Sequence, residues 1–181
     1  PPAEGTSEMS GDQHFTTADG CRIAYRIDGP VDRPVLMLSN SIATNLHMWD
    51  RSVAALGRSF RLLRYDTRGH GGSDAPAGPY SMDRLGRDVV ELLDFLDIDR
   101  AHFLGLSLGG FIGQWLGVFA PNRIDRLILS NTAPYLAAEL HFDDQIHAVL
   151  AASDMDAIAD GFMRNWFPAT MLAAPNEIVD E

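Results

Sequence analysis

The tightest constraint on this chain is five residues long. Gly105-Leu106-Ser107-Leu108-Gly109 is entered from the strand-like run Ala101-His102-Phe103-Leu104 and leads into an apolar helical pattern from Gly109 to Phe119, stopped by Pro121. A strand that turns at once into a helix must bend sharply. Glycines two residues either side of the serine let the two backbones approach without Cβ clashes. Such a turn lifts the serine hydroxyl above the strand ends on a strained backbone. The helix N-terminus also favours the negative charge that develops in acyl transfer. Taken alone, the pattern also describes an ordinary Gly-rich turn with an inert serine. Between a strand and a helix it reads as a nucleophile elbow, with Ser107 as the catalytic nucleophile.

The flanking sequence supplies the sheet such an elbow needs. Two short antiparallel strands are predicted between Phe15 and Arg26, turning at Ala18-Asp19-Gly20. Pro34-Val35-Leu36-Met37-Leu38 is an apolar run without alternation, as expected of a strand buried on both faces. A helical pattern follows from Met48 to Leu56, then a strand at Arg61-Leu62-Leu63-Arg64-Tyr65 and a Gly-rich loop, Arg68-Gly69-His70-Gly71-Gly72. Met82 to Leu96 is the clearest helix, apolar at 85, 89, 92, 93 and 96, with Ser81 as its N-cap. Arg126-Leu127-Ile128-Leu129-Ser130 reads as one more strand. Strand and helix therefore alternate, which predicts an α/β fold: a doubly wound, mostly parallel sheet with helices on both faces. From Tyr135 the pattern turns to helices alone, His141 to Ala152 and Met155 to Trp166. The expected organisation is a leader or linker over residues 1–13, a core over 14–134, and the start of a helical cap over 135–181. Met9 is a candidate start, with linker residues before it.

Composition narrows the class. Of 181 residues, 46% are hydrophobic and 22% charged, as in folded soluble domains. The formal net charge of −11 repels phosphate backbones, so a nucleic-acid partner is not expected. No apolar stretch approaches the roughly 20 residues of a membrane span, and no basic-then-apolar signal opens the sequence. Cys21 is the single cysteine and needs no oxidising compartment, so cytoplasm is the default expectation. No His or Cys cluster suggests a metal, and no cofactor is predicted.

An oxyanion hole needs two N–H donors. One is expected from Leu108, directly after the nucleophile. The other is expected from the loop Ser39-Asn40-Ser41-Ile42-Ala43-Thr44, with Ser41 the first choice and Ile42 the second. That loop continues as Asn45-Leu46-His47-Met48-Trp49-Asp50. With Leu38 in front, it resembles the oxyanion segment of 3-oxoadipate enol-lactonases. Many other α/β-hydrolases carry His-Gly where this chain has Ser39-Asn40. The stretches from Tyr65 to Ser73, from Gly105 to Gly110 and from Leu129 to Ala133 are likewise similar to α/β-hydrolase loops, the last two to enol-lactonase versions. The resemblance runs from about Phe15 to the end. It implies a cofactor-free hydrolase that opens a small enol-lactone during breakdown of aromatic compounds. Relatives with an aspartate nucleophile, dehalogenases and epoxide hydrolases, are disfavoured by Ser107.

A serine nucleophile needs a base, and the base an orienting acid. In the resembled family these follow the nucleophile in the order acid, then histidine, the latter near the C-terminus. Only His141 and His147 lie downstream of Ser107 here, both on predicted cap helices, and Ser130-Asn131-Thr132 carries no carboxylate. The triad His and Asp are therefore expected from a C-terminal fragment or a second subunit, which the apolar Leu127 to Ser130 strand would pair with. His102 is expected to be structural and His70 to belong to its turn. His47, Trp49, Phe162 and Trp166 are candidate pocket residues, although aromatics at helical spacing often serve only as core. Asp66 and Arg68 are expected to tie their loop by a salt bridge, and Glu91, Asp94 and Asp97 to form a solvated helix face.

The reading is that Ser107 attacks a lactone or ester carbonyl while the Leu108 and Ser41 N–H groups hold the oxyanion. Two alternatives stand beside it. One is a non-catalytic binding or structural module that keeps the fold without a triad; the other is a general carboxylesterase.

Overall fold

The computed structural model describes residues 11–135, 142–154 and 156–173. These fall into two compact units, divided after Pro134. The first is built on a six-stranded sheet. Its strands are β1 (Gln13–Thr16), β2 (Arg22–Asp28), β3 (Val35–Ser39), β4 (Arg61–Tyr65), β5 (Ala101–Leu106) and β6 (Ile124–Ser130), in the order β1-β2-β4-β3-β5-β6. The β1-β2 and β2-β4 pairs are antiparallel, and β3, β4, β5 and β6 run parallel. Three helices accompany the strands: α1 (Asp50–Leu56), α2 (Met82–Phe95) and α3 (Leu108–Phe119).

The apolar runs of β3 and β4 are explained by burial on both faces. On one face Met37, Leu63 and Phe103 meet Leu85, Val89, Leu92 and Leu93 of α2 and Ile112 and Leu116 of α3. On the other, Leu36, Leu38 and Leu62 meet Val53 and Leu56 of α1, together with Trp49, Phe60 and Leu104. Successive strand residues point to opposite faces, so both alternating sets must be apolar. Each such side chain taken fully out of water contributes about 1.5–3 kcal/mol.

Ser81 caps α2, its side chain accepting from the Arg84 N–H at 3.1 Å. Gly86 lies inside α2, where glycine weakens a helix, because α3 passes against it. A Cβ at position 86 would stand 2.0 Å from the Trp115 ring. Elsewhere the boundaries move a little from the sequence pattern. The helix expected from Met48 is a single tight turn, Leu46–Trp49, followed by α1. The nucleophile helix opens at Leu108, one residue earlier than its apolar pattern suggests.

One arginine was invisible to the apolar pattern. Arg64 is buried mid-strand on the α1 side, donating to the Asp28 carboxylate at 2.7 Å and 2.9 Å, to the Leu46 carbonyl at 3.2 Å and to Asp50. Its charge is neutralised by two carboxylates from different elements, as a buried cation requires.

The second unit holds α4 (Phe142–Ala151), α5 (Asp156–Trp166) and the single turn α6 (Ala169–Leu172). Within it the rings of Phe162 and Trp166, one helical turn apart on α5, lie 5.4 Å from each other. Among the described residues no helix is long and apolar enough to cross a membrane.

Candidate active site

β5 delivers the chain to Ser107 and α3 carries it away. Ser107 sits between them at φ 52°, ψ −110°, a conformation that costs a non-glycine residue about 1–3 kcal/mol and persists only where the surroundings enforce it. The enforcing contacts are specific. The Ser107 N–H donates to the Ser130 carbonyl at 3.0 Å, tying the elbow to the end of β6. The Ser107 carbonyl accepts from Gly110 at 2.8 Å and Phe111 at 3.2 Å, starting the helix immediately. Gly105 has no room for a side chain, since a Cβ there would lie 2.1 Å from the Gly109 carbonyl oxygen. At Gly109 the Ser39 carbonyl oxygen would be 2.3 Å away. The hydroxyl-bearing residue itself is half-buried.

The loop expected to complete an oxyanion hole leaves β3 at the same end of the sheet. Ser39 lies in register with Gly105 in the parallel β3-β5 pair, so both strands discharge their loops beside each other. The Asn40 carbonyl accepts from the Gly109 N–H at 3.0 Å, which moors the loop on the first turn of α3. Ser41 follows directly and is half-buried, whereas Ile42 is exposed. Leu108 opens α3, and the first N–H groups of a helix have no partner within it. Among the described residues no acceptor takes the Leu108 or Ser41 N–H.

The histidines are placed as follows. His102 lies at the opposite end of β5, edge-on to Phe60 with ring centroids 5.7 Å apart. His70 faces its own loop, its Nδ1 3.2 Å from the Arg68 carbonyl. His47 is turned to carboxylates, with Nδ1 2.9 Å from Asp50 and Nε2 3.7 Å from Asp12. His147 is exposed on α4, and His141 lies outside the described residues. Among the described residues of the first unit, no histidine is hydrogen-bonded to Ser107. Nor does any group of three or more His, Cys, Asp or Glu among the described residues form a place for a metal ion.

A family model for the alpha/beta hydrolase fold matches residues 34–171. The chain belongs to the α/β-hydrolase fold family. It is similar to 3-oxoadipate enol-lactonase 2 of Acinetobacter baylyi, with 38% identity over 165 residues, covering 91% of this chain and 61% of the relative. Among solved structures it is similar to a hydrolase from Pseudomonas aeruginosa (53% identity, TM-score 0.91, covering 96% of this chain and 65% of that one). It is also similar to the enol-lactonase from Burkholderia xenovorans (41% identity, TM-score 0.83, covering 93% and 66%). This α/β-hydrolase chain thus spans about three fifths of the length of the curated relatives it matches, 61% and 57% for two enol-lactonases.

One expectation about the loop after β4 needs correcting. Asp66 and Arg68 do not pair. Arg68 makes a bidentate bridge to Asp88 of α2 at 2.7 Å and a second to Asp19 in the β1-β2 turn. The Arg68 hydrogen bonds hold the Asp19 carboxyl well below the usual carboxylate range. Asp66 instead accepts main-chain N–H groups, from Leu46 at 2.6 Å and Gly72 at 2.8 Å. Burial pushes its carboxyl above the ordinary range, against the pull of those donors. Successive loop residues point in different directions, so each takes the partner that tertiary packing presents.

The helix face expected to be solvated is exposed at Asp94, which pairs with Arg123, and at Asp97, which lies just beyond the helix at φ 53°; Glu91 is half-buried instead, pairing with Arg84 and accepting the Ala18 N–H at 2.8 Å. Trp49 also has an unforeseen task. It packs on the Leu36, Leu38 and Leu62 cluster and donates its indole N–H to the Asn40 side chain at 2.8 Å.

Proposed function

We propose that this chain carries the nucleophile and oxyanion hole of a serine hydrolase acting on a small lactone or ester, with 3-oxoadipate enol-lactone as the substrate of choice. The observation that carries this reading is the Ser107 elbow: a strained serine at the end of β5, at the head of α3, with the Ser41 loop beside it. The similarity to named enol-lactonases supports the substrate class.

In the proposed reaction the Ser107 oxygen attacks the lactone carbonyl carbon and its proton passes to a histidine. The carbonyl π electrons move onto oxygen, where the N–H groups of Leu108 and Ser41, with Ile42 as the fallback donor, stabilise the charge. Collapse re-forms the carbonyl and breaks the ring C–O bond. The leaving enol oxygen takes the proton back, and the enol becomes the ketone. Water, deprotonated by the same histidine, then attacks the acyl-serine, releases the carboxylic acid and restores the hydroxyl.

The histidine and its orienting aspartate come, in this proposal, from a C-terminal segment or a partner subunit docking beside β6. Two features support that assignment. No described histidine of the first unit is hydrogen-bonded to Ser107, and β6 is a terminal strand of the sheet with Leu127, Ile128 and Leu129 exposed. An uncovered parallel edge of this kind offers a row of pairing groups to another strand.

The test is turnover of the enol-lactone and of a linear aryl ester by the protein at its natural length. Ser107→Ala should lower both at least about 10⁴-fold, as losing a serine nucleophile does, with the melting temperature kept. A folded Ser107→Ala variant that retains most of its turnover would refute the assignment. A kcat/KM favouring the linear ester over the lactone would replace the lactonase reading with a general carboxylesterase.

A further inference from the structure

We infer that Asn40 is the positioning residue of this oxyanion hole, fixing the Ser41 N–H through a closed set of bonds that Trp49 completes. The inference rests on the proposed role of the Ser41 N–H and goes beyond it, because it assigns the setting of that donor to a side chain that touches neither Ser107 nor the oxyanion.

Asn40 is 1% exposed, and every polar group of its side chain is used. Its Nδ2 donates to the Tyr65 carbonyl at 3.0 Å and, more loosely, to the Asp66 carboxylate at 3.4 Å. Its Oδ1 accepts the Trp49 indole N–H at 2.8 Å. The partners leave no choice of amide orientation. A flipped amide would set an NH₂ against the indole N–H and an oxygen against a carbonyl and a carboxylate, so both ends would repel.

The main chain of the same residue holds the elbow, because the Asn40 carbonyl accepts from Gly109 at 3.0 Å. That carbonyl and the Ser41 N–H lie in one rigid peptide plane, so pinning the oxygen pins the hydrogen. The next carbonyl, of Ser41, is held as well, accepting from the Thr44 hydroxyl at 2.8 Å. The donor therefore stands between two fixed carbonyls, anchored from below by the Asn40 amide. The Asn40–Trp49 bond closes the ten-residue loop on itself, and the Leu46 N–H ties it to the Asp66 side chain, directly after β4. Beside Asn40 the Ser39 and Tyr65 hydroxyls bond each other at 2.8 Å.

A donor set about 1 Å out of place costs on the order of 100-fold in rate. Asn40→Ala, made in the protein at its natural length, should therefore lower kcat 10- to 100-fold while KM changes less than threefold, since the oxyanion exists only in the transition state. Affinity for a boronic acid or trifluoromethyl ketone transition-state analogue should fall by the same factor as kcat/KM. Hydrogen exchange should quicken in the peptide spanning Ser39 to Thr44 and not in β5. Trp49→Phe keeps the ring and deletes one N–H; it should show the same split at a several-fold smaller loss, and it decides the matter if Asn40→Ala does not fold. Folded variants with unchanged kcat and unchanged loop exchange, beside an inactive Ser107→Ala, would overturn the role of Asn40 alone. An active Ser107→Ala would remove the parent reading and this inference with it.

Discussion

Adding one methyl group at Gly105 should do more damage than its size suggests. The position is in β5, where alanine is ordinarily no worse than glycine. Here, however, the new Cβ would meet backbone: the Gly109 oxygen at 2.1 Å, the Gly109 carbonyl carbon at 2.3 Å and the Gly110 nitrogen at 2.7 Å. Ordinary contact starts near 3.4 Å, so the elbow must widen by about 1.3 Å. No flexible side-chain end can yield in its place. Overpacking of this kind costs about 1–3 kcal/mol, and a rigid backbone neighbour puts Gly105→Ala at the upper end. For a chain of this length that is a fall in melting temperature of roughly 6–12 °C. The same widening separates Ser107 from the Leu108 and Ser41 donors, so turnover should drop by about 100-fold. Gly161→Ala is the control. It is the same substitution inside α5, where nothing lies within 4 Å of the added Cβ, and it should leave the melting temperature unchanged or raise it by up to about 4 °C. Differential scanning calorimetry and an aryl ester assay read both effects. If Gly105→Ala melts within about 2 °C of the parent and keeps its turnover, the elbow is not held by close backbone approach and the reasoning fails.

Other substitutions probe the supports of the site. Gly86→Ala drives a methyl into the Trp115 ring at 2.0 Å and should cost about 1–3 kcal/mol by separating α2 from α3, measured by urea unfolding. Asp88→Asn leaves the buried Arg68 with Asp19 alone; it should cost about 3 kcal/mol, the low end for a broken buried pair because one carboxylate stays, measured in the same assay. Asp19 carries a pH signature. Its folded pKa is depressed, so its contribution is present above the ordinary aspartate value of about 3.9 and is lost as pH falls through the folded value. Asp19→Asn should therefore flatten the acid limb of a stability–pH curve below about pH 4 and leave its shape above pH 6 unchanged.

What the sequence made legible is what local pattern encodes. The elbow could be read because strand, G-x-S-x-G and helix are contiguous. The two-sided burial of β3 and β4 could be read because a half-buried strand would alternate. Ser81 could be read as a cap because its bond to the Arg84 N–H spans three residues. The ionic partners were not legible. Arg68 finds Asp88 twenty positions away, and Arg64 finds Asp28 thirty-six away, only because α2 and β2 are packed where they are. The role of Asn40 is hidden in the sequence for the same reason, since its partners Tyr65, Asp66, Trp49 and Gly109 meet only in the folded sheet.

An activated Ser107 should reveal itself by where a fluorophosphonate lands on the protein at its natural length. Trypsin cutting after Arg100 and Arg123 releases residues 101–123, in which Ser107 is the single serine and no threonine or tyrosine competes. One stoichiometric adduct is expected on that peptide, formed in step with loss of lactone turnover and absent from Ser107→Ala. An unmodified 101–123 peptide from protein whose turnover has been abolished, or an adduct on another serine, would contradict it.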